Sequence, residues 1–199
     1  MIVIPGAVAI LGGTGQQGSG LARRLAAAGI HVVVGSRNPE RARAVTAAWS
    51  GAVDVAANGA AVADVDTVVF AVPFGTIDAL IDDVGPRMRS GAVAIDLTVP
   101  LTFAGGKMPA VALACAFKTV PAHLLDRVDE PLDCDEFVCG DSDAARERAL
   151  ALVAVLPQLR GVDVGPLSRA RAIEQLTALA VAINRRHKRH DARFRVVGL

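Results

Sequence analysis

The order of apolar runs and helical segments predicts an α/β protein with a doubly wound, mainly parallel sheet. The apolar run at residues 7–11 enters a glycine-rich turn, a helix follows, and a second apolar run covers residues 31–34. Three further apolar runs, at residues 52–55, 67–73 and 92–97, alternate with segments of helical pattern. Strands that alternate with helices form parallel βαβ units, so we expect a Rossmann-like sheet.

The later part of the chain predicts a small C-terminal α/β lobe. Residues 137–141 read as a short strand and turn, residues 144–156 as a helix, and a last long helix is expected to begin near Ser168 as its N-cap. A length of 199 residues suits either one large domain or one domain with a small appendage. We therefore expect a dinucleotide-binding domain over residues 1–117 and a lobe over residues 118–199 that packs on it or continues it.

Composition and charge exclude several classes of protein. Hydrophobic residues make up 52% of the chain and the mean hydropathy is +0.42, but glycines interrupt the uncharged run at residues 1–22. That run has no basic start of a signal peptide, so we expect neither a membrane span nor export, and a cytoplasmic setting. A net charge of +1 provides no basic field for nucleic acid.

Two smaller features have competing interpretations. The basic cluster at residues 185–190 is either a phosphate-binding patch or, as is commoner, a solvated helix end. Cys115, Cys134 and Cys139 are odd in number and form no CxxC pair. We expect reduced, mostly buried thiols and no metal site or disulfide framework.

The glycine-rich turn predicts a nucleotide site. It has the GxGxxG pattern, follows a predicted strand and opens a predicted helix. Gly13 is expected to permit the tight turn, Gly15 to let backbone amides approach a pyrophosphate, and Gly18 to let the helix pack close to the strand. The anion would rest on the helix N-terminus, where the unpaired amides and the helix dipole favour negative charge.

The end of the second predicted strand favours NADP over NAD. An NAD site commonly has an acidic residue there for the ribose hydroxyls, whereas this chain has Ser36 and Arg37, with Arg41 four residues further on. A hydroxyl and two guanidinium groups match a 2′-phosphate, and no carboxylate is present to repel it. The alternative is that both arginines are ordinary surface residues at the start of a helix.

The segment Ala71, Val72 and Pro73 ends the apolar run at residues 67–73. Ligands of such sheets lie beyond the carboxyl ends of the strands. We therefore expect these three small residues to contact the ribose or the nicotinamide, although a plain strand end would look the same.

Several stretches together resemble the family of F420-dependent NADP oxidoreductases, which act on a deazaflavin coenzyme. The glycine-rich stretch is generic to dinucleotide folds, but the VCGD turn, the DVGPL turn and the helix after it form a more specific combination. The resemblance covers nearly the whole chain, through the following stretches: LGGTGQQGSGLARRLAAAG, VVVGSRNPERA, VVFAVP, AFKTVPAHLL, FVCGDSDAA, VDVGPLSRARAIEQLTALAVAIN and RFRVVGL.

The resemblance implies a homodimer that binds NADP(H) and coenzyme F420. Pyrophosphate contacts would come from Thr14, Gly15, Gln16 and Gln17. The deazaflavin would stack over the nicotinamide between two short segments, made of Thr98, Val99 and Pro100 and of Thr119, Val120, Pro121 and Ala122.

Lys118 departs from the family pattern, in which some members have His at this position. It has two interpretations. Its charge reaches the pyrimidine edge or the phosphorylated tail of the deazaflavin, or the lysine is partly buried with its head in solvent.

No catalytic side chain is expected, because the two coenzymes carry the hydride chemistry once their reacting carbons lie roughly 3–3.5 Å apart. His123 is the best candidate for proton transfer, but a local hydrogen bond is its commoner role. Two alternatives remain open. The protein is an NADP-dependent reductase of another flavin or of a small imine or carbonyl substrate, or it is a non-catalytic NADP-binding sensor or scaffold. The imine reductases usually have a larger helical domain than residues 118–199 can form.

Overall fold

The computed structural model describes residue 4, residues 6–98 and residues 111–199. These residues form one eight-stranded sheet with the order β3-β2-β1-β4-β5-β6-β7-β8. All neighbouring strands are parallel except β6 and β7. The strands are β1 (Val8–Leu11), β2 (Val32–Ser36), β3 (Val53–Ala57), β4 (Thr67–Phe70), β5 (Val93–Asp96), β6 (Ala112–Cys115), β7 (Cys134–Gly140) and β8 (Leu159–Pro166).

Seven α-helices are present in the described part of the chain. They are α1 (Gln16–Ala27), α2 (Pro39–Thr46), α3 (Asn58–Ala61), α4 (Ile77–Val84), α5 (Ala122–Asp126), α6 (Asp143–Ala154) and α7 (Ala170–His187). The chain order reverses between β1 and β4, which creates a crevice at the carboxyl ends of these two strands.

Two apolar layers cover the sheet, because successive side chains of a strand point to opposite faces. Val8 and Ile10 of β1 face a core shared with α1 and α6. Ala9 and Leu11 face a core shared with α3 and α4. On this second face, Ile173 of α7 packs against β6 and β7 in a smaller cluster. The predicted Rossmann-like, mainly parallel fold is confirmed.

The strands after residue 117 belong to the same sheet as those before it. β7 joins β6 antiparallel, with Cys115 opposite Cys139, and β8 then continues the sheet in parallel. The division into domains at residues 1–117 and 118–199 stays a prediction. No helix among the described residues has the length and apolar character to cross a membrane.

Three local predictions differ from the structure. The DVGPL stretch is not only a turn: Asp163 to Pro166 extend β8 and pair with β7 across a register shift, and Leu167 begins the 3₁₀ turn that follows. Ser168 is not a helix cap: it lies inside a 3₁₀ turn, Leu167–Arg169, and Arg169 precedes the helix without a side-chain cap. The sequence predicts a helix over residues 40–49, whereas α2 covers Pro39–Thr46; the Asn38 side chain accepts a hydrogen bond from Arg41 N–H at its start.

Candidate functional site

Two cavities lie near the carboxyl edge of the sheet. The first cavity measures about 720 Å³. It is lined by Gly12, Thr14, Gly15, Gly35, Ser36, Arg37, Asn38, Arg41, Ala42, Val45, Asn58, Ala71, Val72, Pro73, Gly75, Thr76, Ala79, Leu80 and Asp83. The second cavity measures about 770 Å³. It is lined by Gln16, Gln17, Lys118, Thr119, Val120, Pro121, Ala122, His123, Thr177, Ala180, Val181, Asn184, Arg185, Lys188, Arg189, His190 and Ala192.

The glycine-rich turn brings β1 and α1 into close contact. Gly12 has a positive φ of 80°, and a Cβ there would lie 2.5 Å from the Ala71 carbonyl oxygen. The residue that the tight turn requires is therefore Gly12, and the assignment of this role to Gly13 is corrected, because Gly13 has no positive φ. A Cβ on Gly18 would lie 2.5 Å from the Gly12 carbonyl oxygen, so the expected close packing of the helix is present.

The N-terminus of α1 lies between the two cavities. Gly15 precedes the helix without any side-chain cap, which leaves backbone N–H groups available to an anion. Thr14 and Gly15 line the first cavity, whereas Gln16 and Gln17 line the second. The Gln17 side chain donates a hydrogen bond of 2.5 Å to the Phe117 carbonyl oxygen, which joins the turn to the wall of the second cavity.

The end of β2 is shaped by an asparagine that the sequence did not single out. Ser36 Oγ accepts from Asn38 N–H at 3.1 Å, and Asn38 Oδ1 accepts from Arg41 N–H at 3.0 Å. These bonds hold the start of α2 so that Arg37 and Arg41 both line the first cavity. Both arginines are exposed, and no described carboxylate forms an ion pair with either.

The opposite wall of the first cavity contains the predicted nicotinamide contacts Ala71, Val72 and Pro73. Asn58 was missed: it lines the same cavity, and its buried Oδ1 has no hydrogen-bond partner among the described residues. An unpaired buried acceptor is costly, so this atom suits a donor from a ligand. Gly13 and Gly18 do not line either cavity, and they act through the packing of the turn.

The predicted deazaflavin residues divide into three groups. Lys118, Thr119, Val120, Pro121 and Ala122 line the second cavity. Thr98 is buried and lies behind Lys118, whose ammonium donates to the Thr98 carbonyl oxygen. Val99 and Pro100 lie outside the described residues.

The Lys118 ammonium is buried in an ion pair. Its Nζ donates to Asp96 Oδ2 at 2.5 Å, both side chains are fully buried, and Glu174 Oε1 lies 3.9 Å away. Burial raises the pKa of the Asp96 carboxyl, and the charge of Lys118 opposes this shift. The interpretation that the lysine head lies in solvent is wrong, because Asp96 at the end of β5 supplies a buried partner.

Glu136 holds the turn that contains Lys118 and Thr119. It is a fully buried residue of β7 whose carboxylate accepts from Lys118 N–H at 3.1 Å and from Thr119 Oγ1 at 2.9 Å. Burial raises the pKa of Glu136 to about 7, and the hydrogen bonds from Thr119 and Lys118 oppose the shift. Asp96 and Glu136 were not found from the sequence. Asp96 had a readable signal, since it is acidic within the apolar run at residues 92–97, whereas Glu136 follows another acidic residue, Asp135.

Helices α1 and α7 are tied to the same wall of the second cavity. Arg24 of α1 is buried and donates to the carbonyl oxygens of Leu124 at 2.7 Å and Leu125 at 2.9 Å, in α5. Thr177 of α7 donates to the Lys118 carbonyl oxygen at 2.9 Å. The wall of the second cavity is therefore held by hydrogen bonds from α1 on one face of the sheet and from α7 on the other.

His123 also lines the second cavity. Burial lowers its pKa, and the positive charge of Arg127 lowers it further. The expected local hydrogen bond of His123 is not formed with any described residue. A neutral imidazole at the cavity wall can accept or donate one hydrogen bond.

Comparison with known proteins agrees with this arrangement. The family described as NADP oxidoreductase, coenzyme F420-dependent, matches residues 7–100. The F420-dependent NADP reductase of Methanothermobacter thermautotrophicus is 32% identical, over 96% of this chain and 95% of that protein. The F420-dependent NADP reductase of Methanothermobacter marburgensis is 31% identical, over 96% of this chain and 98% of that protein. The crystal structure of a candidate F420-dependent NADP-reductase from Arthrobacter sp. FB24 covers 96% of this chain and 98% of its own, with a TM-score of 0.79 and 24% identity.

Proposed function

Because the chain belongs to the family of F420-dependent NADP reductases, we propose that it transfers a hydride directly between NADP(H) and coenzyme F420. The observation that carries this proposal is the pair of cavities on either side of the N-terminus of α1. One cavity has the residue types of an NADP site, and the other leaves room for a second flat coenzyme next to it.

NADP(H) binds in the first cavity. The N-terminus of α1 with Thr14, Gly15, Gln16 and Gln17 receives the pyrophosphate. Two exposed guanidinium groups and a hydroxyl, those of Arg37, Arg41 and Ser36, bind the 2′-phosphate. The nicotinamide lies against Ala71, Val72 and Pro73.

The deazaflavin binds in the second cavity, against Lys118, Thr119, Val120, Pro121 and Ala122. Thr98 supports this wall, because its carbonyl oxygen accepts a hydrogen bond from Lys118 Nζ. Val99 and Pro100, the other two contacts that the resemblance implies, lie outside the described residues. When bound, the two coenzymes supply the redox chemistry. The residues of the chain orient the two rings and exclude water between them, and no side chain is required as an acid or base.

We also propose that the enzyme is a cytoplasmic homodimer. Helix α7 exposes two large apolar side chains one turn apart, Leu179 at 50% and Ile183 at 37%, and neither lines either cavity. Apolar side chains grouped on one helix suit a self-complementary contact. Three free, buried cysteines suit a reducing compartment.

The direct test is to mix the purified protein with NADPH and oxidised F420 and to follow the visible absorbance of the deazaflavin. We expect bleaching that depends on both protein and NADPH, with FMN and FAD reduced far more slowly. Binding of NADPH without bleaching of F420 would overturn the proposal in favour of a non-catalytic NADP-binding protein. Equal reduction of all three would make the protein a general flavin reductase.

A further inference from the structure

The second cavity is strongly basic at one end. Arg185, Lys188 and Arg189 line it together with His123 and His190, and no Asp or Glu is among the described residues that line it. Lys118, at the other end, is already neutralised by Asp96. The exposed side chains of Arg185, Lys188 and Arg189, at the C-terminal end of α7, therefore give the cavity a positive charge that no acidic lining residue balances.

A specific backbone arrangement places these cations on the cavity. Helix α7 ends at His187, and Lys188 adopts the left-handed conformation with φ of 52°. Arg189 N–H donates to the Asn184 carbonyl oxygen at 2.9 Å, and Ala192 N–H donates to Asn184 Oδ1 at 3.0 Å. The chain thus turns back on Asn184 at the end of α7, and Arg185, Lys188 and Arg189 around this turn all line the cavity.

The three cations have no acidic partner among the described residues. Elsewhere in the chain, exposed arginines do have partners: Arg89 pairs with Asp66 at 3.1 Å, and Arg195 pairs with Asp133 at 3.0 Å. No such ion pair is formed by Arg185, Lys188 or Arg189 in the described structure. Unpaired guanidinium groups at the wall of a cavity suit phosphate or carboxylate oxygens.

We propose that this basic end is a subsite for the acidic side chain of the second coenzyme, whose phosphate and carboxylate groups extend away from the deazaflavin ring. The ring lies against Lys118 to Ala122, and the chain follows the cavity toward Arg185, Lys188 and Arg189. The proposal rests on the proposed function. It extends that function by assigning a role to the basic cluster, which lies outside the NADP cavity.

The test compares F420 with the deazaflavin riboside that lacks the acidic chain. Dissociation constants are measured by deazaflavin fluorescence for the wild type and for the double variant Arg185→Gln, Arg189→Gln. We expect the double variant to bind F420 about tenfold more weakly and the riboside less than twofold more weakly, because two exposed charge contacts are lost. The difference should shrink at high salt, as expected for exposed charges.

Arg186→Gln is the matched control, because Arg186 belongs to the same basic cluster but does not line the cavity. This control should bind F420 like the wild type. Equal affinity of the wild type for F420 and for the riboside would overturn the subsite, as would an equal loss of both in the double variant. A loss of NADPH affinity instead would assign the cations to the phosphates of NADP and overturn the proposal too.

The two proposals fail in different ways. If the wild type binds F420 and the riboside with equal affinity and reduces both, the proposed subsite is wrong and the proposed function stands. If it binds NADPH but reduces neither deazaflavin, the proposed function itself is wrong.

Discussion

The two cavities are built on different physical principles. The first cavity depends on backbone amides, close glycine packing and exposed arginines, all located at strand ends. The second cavity depends on buried charged groups behind its wall, namely Asp96, Lys118 and Glu136. Substitutions at the first cavity should therefore change the affinity for a coenzyme. Substitutions of the buried charged groups behind the wall of the second cavity should change the free energy of unfolding of the whole protein.

The sharpest test of this difference is Lys118→Met. Removing the ammonium leaves the Asp96 carboxylate buried without its charged partner. We expect the free energy of unfolding to fall by about 3–5 kcal/mol, measured by urea denaturation at neutral pH. The double variant Asp96→Asn, Lys118→Met should recover part of the loss. A loss below about 1 kcal/mol would show that the ion pair of Lys118 and Asp96 does not support the wall of the second cavity.

At the first cavity, Arg37→Ala with Arg41→Ala should change coenzyme choice and leave stability nearly unchanged. Loss of hydrogen-bonded contacts to a charged phosphate costs about 1.5–3 kcal/mol, which is a factor of about 10 to 150 in affinity. We expect this loss for NADPH and almost none for NADH, measured by equilibrium titration. Arg43→Ala is the matched control, because Arg43 is exposed on the same helix and does not line the cavity. An undiminished preference for NADPH would contradict the assignment of the 2′-phosphate site.

Gly18→Ala tests whether the first cavity also depends on packing. The added Cβ would lie 2.5 Å from the Gly12 carbonyl oxygen, so backbone must shift. We expect a loss of about 1–3 kcal/mol in the free energy of unfolding, together with weaker NADPH binding. Gly75→Ala is the control, because a Cβ there has no atom within 4 Å. Equal stability of the two variants would mean that the turn adapts without cost.

Most residues that the sequence assigns to the NADP site line one cavity, because the determinants of that cavity are local. The spacing of the glycines and the residues after β2 are fixed by a strand, a turn and a helix that are contiguous in the chain. Even so, the glycine that the turn requires is Gly12 instead of Gly13, because the nearby carbonyl of Ala71, directly after β4, leaves no room for a Cβ at Gly12.

The supports of the second cavity were not predictable from local patterns. Lys118 meets Asp96 across 22 residues of chain, and its backbone meets Glu136 across 18. Such contacts appear only once β5, β6 and β7 are adjacent in the sheet. The stretch DVGPL was misread for a similar reason, because its pairing with β7 continues across a register shift, where Gly165 has a φ of 87°. The basic cluster at residues 185–190 left two interpretations open, and only the fold places three of its side chains on a cavity.

The smallest expected effect is a dependence of stability on pH that belongs to the second cavity alone. The pKa of Glu136 is raised by burial from the ordinary value of 4.5 to about 7. Between these values the folded protein binds one proton more than the unfolded chain, so raising the pH through this window favours unfolding. Relative to Glu136→Gln, the wild type should therefore lose about 1 kcal/mol between pH 6 and pH 7 and little above pH 8. Urea denaturation of both proteins across this range measures the difference. A difference that stays flat or grows with pH would show that Glu136 is ionised throughout, held by its hydrogen bonds from Lys118 and Thr119.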